Sequence, residues 1–440
     1  MQAKTYSLAR QHALKKLRPN GIPIMYVLLD GVGDLPDPIL NNLTPLDAAL
    51  TPHLDQLSRM GSMGLAYPAG EGIAPESDVG VFGMLGYDLS EEYVGRGAME
   101  AIGAKIDFQN GDLALRANFA TLQDDGILGD RRAGRDLSKQ DTEELADAIT
   151  HDVQLSHGAE LVFRSTVAHR AIIRIRTPGE NLLANISNTD PAYTRVRGMG
   201  VAKEGLKELR LQRSEALDSI PGTKLAADLL NEFTENAQRI LAEHPVNIRR
   251  KSSGQLPANV ILARDASCSV PKLDQMQEKY GLNTACLLDM PVEKGIATVT
   301  GMVQVEGGDV DDYSFKAQKA KELLPRFDCV YVHIKGPDEP GHDGDSVLKK
   351  DVIQAIDKEF FNMVAEQVLD GRAIVIVSAD HSTPCQLKAH SSDPVPVMVS
   401  GPGIEQDQSC RFTERDGLQG SLGKMEGKQI LGEILSKLRK

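Results

Sequence analysis

Apolar residues in this chain collect in short, β-branched runs that end at acidic or imidazole side chains. Ala373-Ile-Val-Ile-Val377 leads into Ser378-Ala-Asp-His381, Cys329-Val-Tyr-Val-His-Ile334 into Lys335-Gly-Pro-Asp-Glu-Pro-Gly-His342, and Ile24-Met-Tyr-Val-Leu-Leu29 into Asp30-Gly31. Continuous apolar runs of this length predict strands buried on both faces, the pattern of a parallel sheet rather than a half-wet one. Open α/β sheets bind ligands beyond the carboxyl ends of their strands, so the three runs predict one shared crevice.

Helical patterns separate the runs. Thr51-Pro52 predicts a helix start, with Thr as N-cap and Pro at the first helical position, and Ser77 stands at the head of the apolar helix Val79–Leu85. A helix over Lys272–Tyr280 leads to a strand over Asn283–Leu288, Pro291–Val299 carries Lys294 at a strand or loop edge, and Gly427–Leu438 is a terminal helix. Between about 106 and 265 the character changes: Glu160–Arg176 alternates as a half-exposed strand does, Thr223–Glu243 is an amphipathic helix, and arginines crowd in. These patterns predict a doubly wound α/β core with a mainly parallel sheet over 24–105 and 266–440, into which an α+β cap, 106–265, is inserted. Residues 1–23 form an N-terminal extension. Its basic, acid-free composition also suits a transit peptide, but a short amphipathic helix is the favoured reading.

Composition narrows the function. The chain has 440 residues, 41% hydrophobic and 25% charged, and no apolar stretch long enough to predict a membrane span. A formal charge of -13 argues against nucleic acid as the main partner, since phosphate-backbone binding needs a concentrated basic surface. The 5 cysteines are scattered without a C-x-x-C pair, which predicts neither a disulfide framework nor a cysteine zinc site and suits a reducing, cytoplasmic setting.

The candidate chemistry lies at the strand ends. Asp30, Asp338, His342, Asp380, His381 and His390 offer carboxylate oxygens and imidazole nitrogens, donors that suit zinc, manganese, iron or cobalt. They exceed what one tetrahedral ion needs, which points to two metals in one site. Ser77 either caps its helix or serves as a nucleophile toward a phosphate held by helix amides and cations. Asp130-Arg-Arg-Ala-Gly-Arg135 is a compact loop whose guanidinium forks could grip phosphate or carboxylate, whereas Arg174 and Arg176 fit equally well on the wet face of a sheet.

The ordered set Asp30-Gly31, Pro75-Glu-Ser-Asp78, Leu85-Gly-Tyr-Asp88, Gly95-Arg-Gly-Ala-Met-Glu100, Asp130–Arg135, Asp338-Glu-Pro-Gly-His342, Asp380-His381 and His390 resembles the archaeal-type cofactor-independent phosphoglycerate mutases of the alkaline phosphatase superfamily. The resemblance runs from about residue 24 to the end. It implies an alkaline-phosphatase-like core, with Ser77 as the phosphorylated nucleophile. Asp30, Asp380 and His381 would hold the metal nearest it, and Asp338, His342 and His390 the other. Two divalent ions are implied, manganese first and magnesium, zinc or cobalt as alternatives, with no bisphosphoglycerate. Asp130, Arg131, Arg135 and Arg264 would hold phosphoglycerate, Lys294 would stand near the transferring phosphate, and His169 and Arg170 match a His-Arg pair of the cap. Expected partners are the small phosphorylated substrate and, as an open question, a second copy in a homo-oligomer, with no nucleic acid and no membrane. Two rivals share these residues: another metal-dependent phosphohydrolase or phosphomutase, and a non-catalytic metal-binding protein.

Overall fold

The computed structural model describes residues 21–88, 93, 95–196, 199–202 and 208–438, with backbone alone for 195–196 and 199–202. The helix expected within residues 1–20 lies outside them. The chain divides into two compact units: one runs up to residue 93 and takes in 272–290 and 296 onward, and the other spans 94–271 with 291–295.

The first unit is built on an eight-stranded sheet. Its strands are β1 (Ile24–Leu29), β2 (Gly61–Tyr67) and, after β3 to β9 of the second unit, β10 (Thr284–Leu288), β11 (Val303–Glu306), β12 (Cys329–Ile334), β13 (Ile374–Ser378), β14 (Val395–Ser400) and β15 (Gly423–Glu426). The order is β11-β10-β12-β1-β13-β14-β2-β15. Only β14 runs against its neighbours, so the sheet is mainly parallel, as its continuous apolar runs predict. Every residue of β1, β12 and β13 is buried, which is why these strands do not alternate. Tyr26, inside β1, keeps its hydroxyl satisfied by donating to the Met84 carbonyl at 2.8 Å.

Register aligns the chemistry. Leu29 pairs with Ile334 and Leu28 with Ser378, so β12, β1 and β13 end nearly level and the residues that follow them emerge side by side. The Asp30 amide closes the rim by donating to the Ile334 carbonyl at 2.9 Å.

The second unit is an antiparallel sheet with helices packed on it, an α+β arrangement. Its main strands are β3 (Leu113–Leu122), β4 (Leu128–Asp130), β5 (Glu160–Ser165) and β6 (Arg170–Arg176), then β7 (Tyr193–Val196) and β8 (Met199–Ala202) as a separate ribbon, and β9 (Val260–Ser267) paired with β3. The alternating segment 160–176 is thus a hairpin rather than one strand. Phe119, Phe163 and Phe233 pack ring to ring in the core that joins this sheet to the helices Lys139–Asp152 and Pro221–Glu243. The unit contains all of 106–265 together with the helix Arg96–Gly103.

Three local expectations need correction. Pro291–Val299 is a helix, not a strand or loop edge: Pro starts it, and Val292 and Ile296 recur at helical spacing on its buried side. The helix expected from Lys272 begins only at Met276, where Gln275 and Glu278 form a reciprocal cap. Asp338 and His342 lie on a short helix, Asp338–Asp343, rather than across an open loop; Pro340 is tolerated in its first turn and Gly344, at φ +78°, ends it.

Candidate active site

Beyond the level strand ends, Asp30, Asp380 and His381 bring one donor atom each within 4.8 Å of one another, and all are buried. His381 Nε2 lies 3.2 Å from Asp30 Oδ1 and 3.4 Å from Asp380 Oδ2. A second group, Asp338, His381 and His390, is equally tight. His342 joins it, its Nε2 lying 3.1 Å from His390 Nε2 and 3.5 Å from Asp338 Oδ1. His381 therefore stands in both groups rather than in one, stacked on the His390 ring at 3.7 Å between centroids.

These groups fit divalent cations on their own chemistry. Asp30 Oδ1 and Asp380 Oδ2 are buried and receive no hydrogen bond, a costly arrangement for carboxylate oxygens. Each imidazole spends its Nδ1 outward. His381 Nδ1 is 2.9 Å from Thr383 Oγ1, His390 Nδ1 2.7 Å from the Pro75 carbonyl and His342 Nδ1 3.2 Å from the Lys388 carbonyl. A carbonyl only accepts, so for His390 and His342 a proton sits on Nδ1, and Nε2 is the ring atom that faces the pocket. For His381 the Thr383 hydroxyl is committed as a donor to Asp338 Oδ1 at 2.7 Å, which again puts the proton on Nδ1. Outward donation of this kind is how ligating histidines are oriented.

The electrostatics agree. Burial would raise the Asp30 carboxyl, but Lys335, with its Nζ 2.9 Å from Oδ2, and His381 and His333 hold it well below the usual range. Burial and the nearby Asp30 charge work to raise Asp338, and His390 and His381 outweigh them and lower it. Burial opposes charge on His390, yet its bond to Asp338, the Glu76 carboxylate and the Pro75 carbonyl lift it to about 10. The pocket is thus strongly disposed to hold positive charge.

Close approach of the backbone makes this packing possible. Gly31 adopts φ +61°, and a Cβ there would come within 2.6 Å of Thr383 Oγ1 and 2.7 Å of Asp338 Oδ1. Gly80 lets the helix Ser77–Met84 lie against Asp380, whose carbonyl oxygen a side chain at residue 80 would strike. Glu76 is the N-cap residue of that helix and Ser77 its first residue, so the serine hydroxyl is not spent as a cap. Its Oγ lies 3.3 Å from His381 Nε2. Asp78 accepts from the Tyr93 hydroxyl at 2.7 Å.

In the second unit, Arg131 grips the fully buried Asp190 with two hydrogen bonds, at 3.0 and 2.6 Å, and Arg264 adds a third at 3.1 Å. Both guanidinium groups also lie over the Tyr193 ring. Arg135 is exposed, and the Asp130 carboxylate accepts from the Arg132 amide at 2.6 Å, which fixes the turn between them. Burial, with Arg170, Arg264 and Arg135 around it, pushes His169 down to about 4. Burial together with Arg116 and Arg96 brings Arg170 down to about 10. Lys294 lies on the helix Pro291–Val299, in the part of the chain that groups with the second unit. Asp190, Tyr193 and Thr383 carry no sequence signal that sets them apart, although Asp190 stands in a turn, Asn188–Pro191, that leads into β7.

A mainly parallel α/β unit with carboxylates and imidazoles beyond its strand ends and a serine hydroxyl at a helix head beside them, carrying an arginine-rich α+β insertion, defines an enzyme class equipped for divalent-cation chemistry. Residues 58–247 match the family model described as 2,3-bisphosphoglycerate-independent phosphoglycerate mutase. A relative of that name from Aeropyrum pernix is 40% identical over 428 residues, covering 94% of this chain and 99% of its own length. Among solved structures, the PH0037 protein from Pyrococcus horikoshii aligns with a TM-score of 0.76 at 30% identity, covering 95% of this chain and 98% of that one. The cofactor-independent phosphoglycerate mutase from Thermoplasma acidophilum gives 0.62 at 33%, covering 95% and 100%. The chain belongs to the 2,3-bisphosphoglycerate-independent phosphoglycerate mutase family.

Proposed function

We propose that this enzyme interconverts 3-phosphoglycerate and 2-phosphoglycerate without bisphosphoglycerate, through a phosphoserine at Ser77. The observation that carries the reading is the Ser77 hydroxyl beside His381, the one imidazole common to both donor groups. Asp30, Asp380 and His381 would hold one divalent ion and Asp338, His342 and His390 the other, with His381 close to both and manganese the favoured metal. When bound, the ions neutralise charge on the phosphate and lower the cost of deprotonating the hydroxyl.

The chain's own residues account for the rest. Ser77 Oγ gives up its proton and forms a bond to phosphorus as the bond from phosphorus to the substrate's 3-oxygen breaks, and that proton passes to the departing oxygen to give glycerate. The amides at the head of the helix Ser77–Met84 favour the anionic group. Lys294 is assigned to charge on the transferring phosphate, and Asp130, Arg131, Arg135, His169, Arg170 and Arg264 to holding glycerate, the guanidinium forks suiting its carboxylate. The 2-oxygen then forms a bond to the phosphorus of the phosphoserine as the bond from phosphorus to Ser77 Oγ breaks, and the proton it gives up returns to Ser77. Exclusion of water during this interval separates a mutase from a phosphatase. Free thiols at all five cysteines suit the cytoplasm, where we place the reaction. Phosphorus NMR of 3-phosphoglycerate with manganese-loaded protein and no bisphosphoglycerate tests the proposal. The 2-phosphoglycerate signal should grow without inorganic phosphate; phosphate release without isomerisation would favour a hydrolase instead.

A further inference from the structure

The helix Ser346–Ile356 follows the short helix that carries Asp338 and His342, and the Asp345 amide bonds back to the Pro340 carbonyl at 2.9 Å. From it Lys349 reaches inward and is fully buried. Its Nζ donates to the Gly33 carbonyl at 3.1 Å, to Asp34 Oδ2 at 2.8 Å and to the Thr383 carbonyl at 2.8 Å. Those three acceptors use all three N–H bonds of the ammonium. Gly33 and Asp34 belong to the loop that starts with Asp30, and Thr383 to the loop that starts with Asp380 and His381. The same Gly33 carbonyl also accepts from the Thr383 amide at 3.0 Å.

Asp34 completes the arrangement. Its carboxylate accepts from the Leu35 amide at 2.7 Å and the Cys385 amide at 3.1 Å, so it ties the same two loops from the opposite charge. The Asp34 amide donates in turn to Glu414 at 3.2 Å. A buried ammonium is expensive unless paired and fully hydrogen-bonded, and neutral apolar packing would serve stability as well. What the pair supplies that apolar residues would not is directional bonds to two loop backbones, from a helix continuous with the third donor segment.

We propose that Lys349, with Asp34, is a positioning residue: it locks the Asp30, Asp380-His381 and Asp338-His342 segments in the mutual register that two divalent cations require, without itself contacting cation or substrate. This rests on the reading of the donor groups as cation sites. Because the ion pair is neutral as a whole, it fixes the loops without adding net charge next to the carboxylates.

The experiment titrates chelator-stripped parent, Lys349→Met and the neutral double variant Asp34→Asn/Lys349→Met with manganese by calorimetry, with circular dichroism and thermal melting alongside. The parent should bind manganese; a parent that binds none overturns the cation-site reading itself. Lys349→Met leaves Asp34 unpaired and should melt lower. The double variant removes the stranded charge and should recover much of that melting loss, yet bind manganese about 10- to 100-fold more weakly than the parent, as loss of outer support does. Mutase activity of the double variant should return toward the parent's as manganese is raised, which a globally damaged fold would not allow. A folded double variant with parental manganese affinity overturns the proposal, and so does failure of both variants to fold, since the pair would then be a structural pillar only.

Discussion

Replacing Thr383 by valine removes one hydroxyl from a fully buried position and leaves the side-chain shape almost unchanged. That hydroxyl lies 2.9 Å from His381 Nδ1 and donates to Asp338 Oδ1 at 2.7 Å, so it fixes the tautomer of His381 and the rotamer of Asp338. A hydrogen bond to a charged group is worth roughly 1.5–3 kcal/mol, and a buried N–H left without an acceptor costs a comparable amount. Taking about 2 kcal/mol as the part felt by a bound cation, and about 1.4 kcal/mol per tenfold, the affinity loss is roughly 30-fold. Because His381 belongs to both donor groups, both cation positions should weaken together rather than one alone. Calorimetric titration of stripped Thr383→Val with manganese measures this directly, and a melting curve separates it from general damage. A folded variant that binds manganese at both positions with the parent's affinity would refute the claim that Thr383 orients His381.

Other outcomes follow from the same geometry. Burial pushes the Glu414 carboxyl up to about 7 from an ordinary 4.5, against the Thr44 and Asp34 hydrogen bonds that favour its charge. The folded state therefore binds more protons than the unfolded chain between about 4.5 and 7, and this group's contribution to stability falls as pH rises through that window. Glu414→Gln should flatten that fall in urea-unfolding midpoints measured across the window; an unchanged slope counts against it. Arg250 is buried and donates to the Leu256 carbonyl at 2.9 Å, to the Ala133 carbonyl at 3.3 Å and to Asp136. It braces a turn in which Ala133, Gly134 and Arg135 all hold positive φ. Arg250→Met leaves the Leu256 and Ala133 carbonyls without their donor and should cost about 2 kcal/mol in urea unfolding and raise KM for phosphoglycerate, whereas parental stability would show the brace to be dispensable. Manganese added to stripped protein at about a hundred times its Kd should stabilise it by about 2.7 kcal/mol, read as a rise in Tm; a Tm insensitive to the metal would mean that the donor groups do not bind it in the folded state.

The strand ends were legible because buried parallel strands write themselves as uninterrupted apolar runs, and the Asp or Asp-His that follows each run is a local signal. Asp30, Asp380 and His381 could be read that way, and their convergence follows from the level register of β1, β12 and β13. The sharing of His381 between the two groups was not legible, because it depends on a ring stack and on the Thr383 hydroxyl, neither of which leaves a pattern in sequence. Lys349 reads in isolation as one more lysine on an amphipathic helix; only closure of the chain across 316 residues brings it to Gly33. The segment carrying Lys294 mixes β-branched residues with Pro, Gly and charges and so reads as a strand or loop edge, whereas burial of Val292 and Ile296 on one side goes with its helix. Asp190 looked like a turn residue, and its role as anchor for Arg131 and Arg264 comes from β9 lying beside it, with the Asp190 amide 3.3 Å from the Ala263 carbonyl.

The most direct test of the central claim is to quench manganese-loaded enzyme with acid during turnover of 3-phosphoglycerate and to map phosphate by intact mass and peptide sequencing. A single phosphoryl adduct should appear on Ser77, formed and lost at rates that match 2-phosphoglycerate production, with neither adduct nor turnover in Ser77→Ala. Turnover that persists in Ser77→Ala, or an adduct on any other residue, would contradict it.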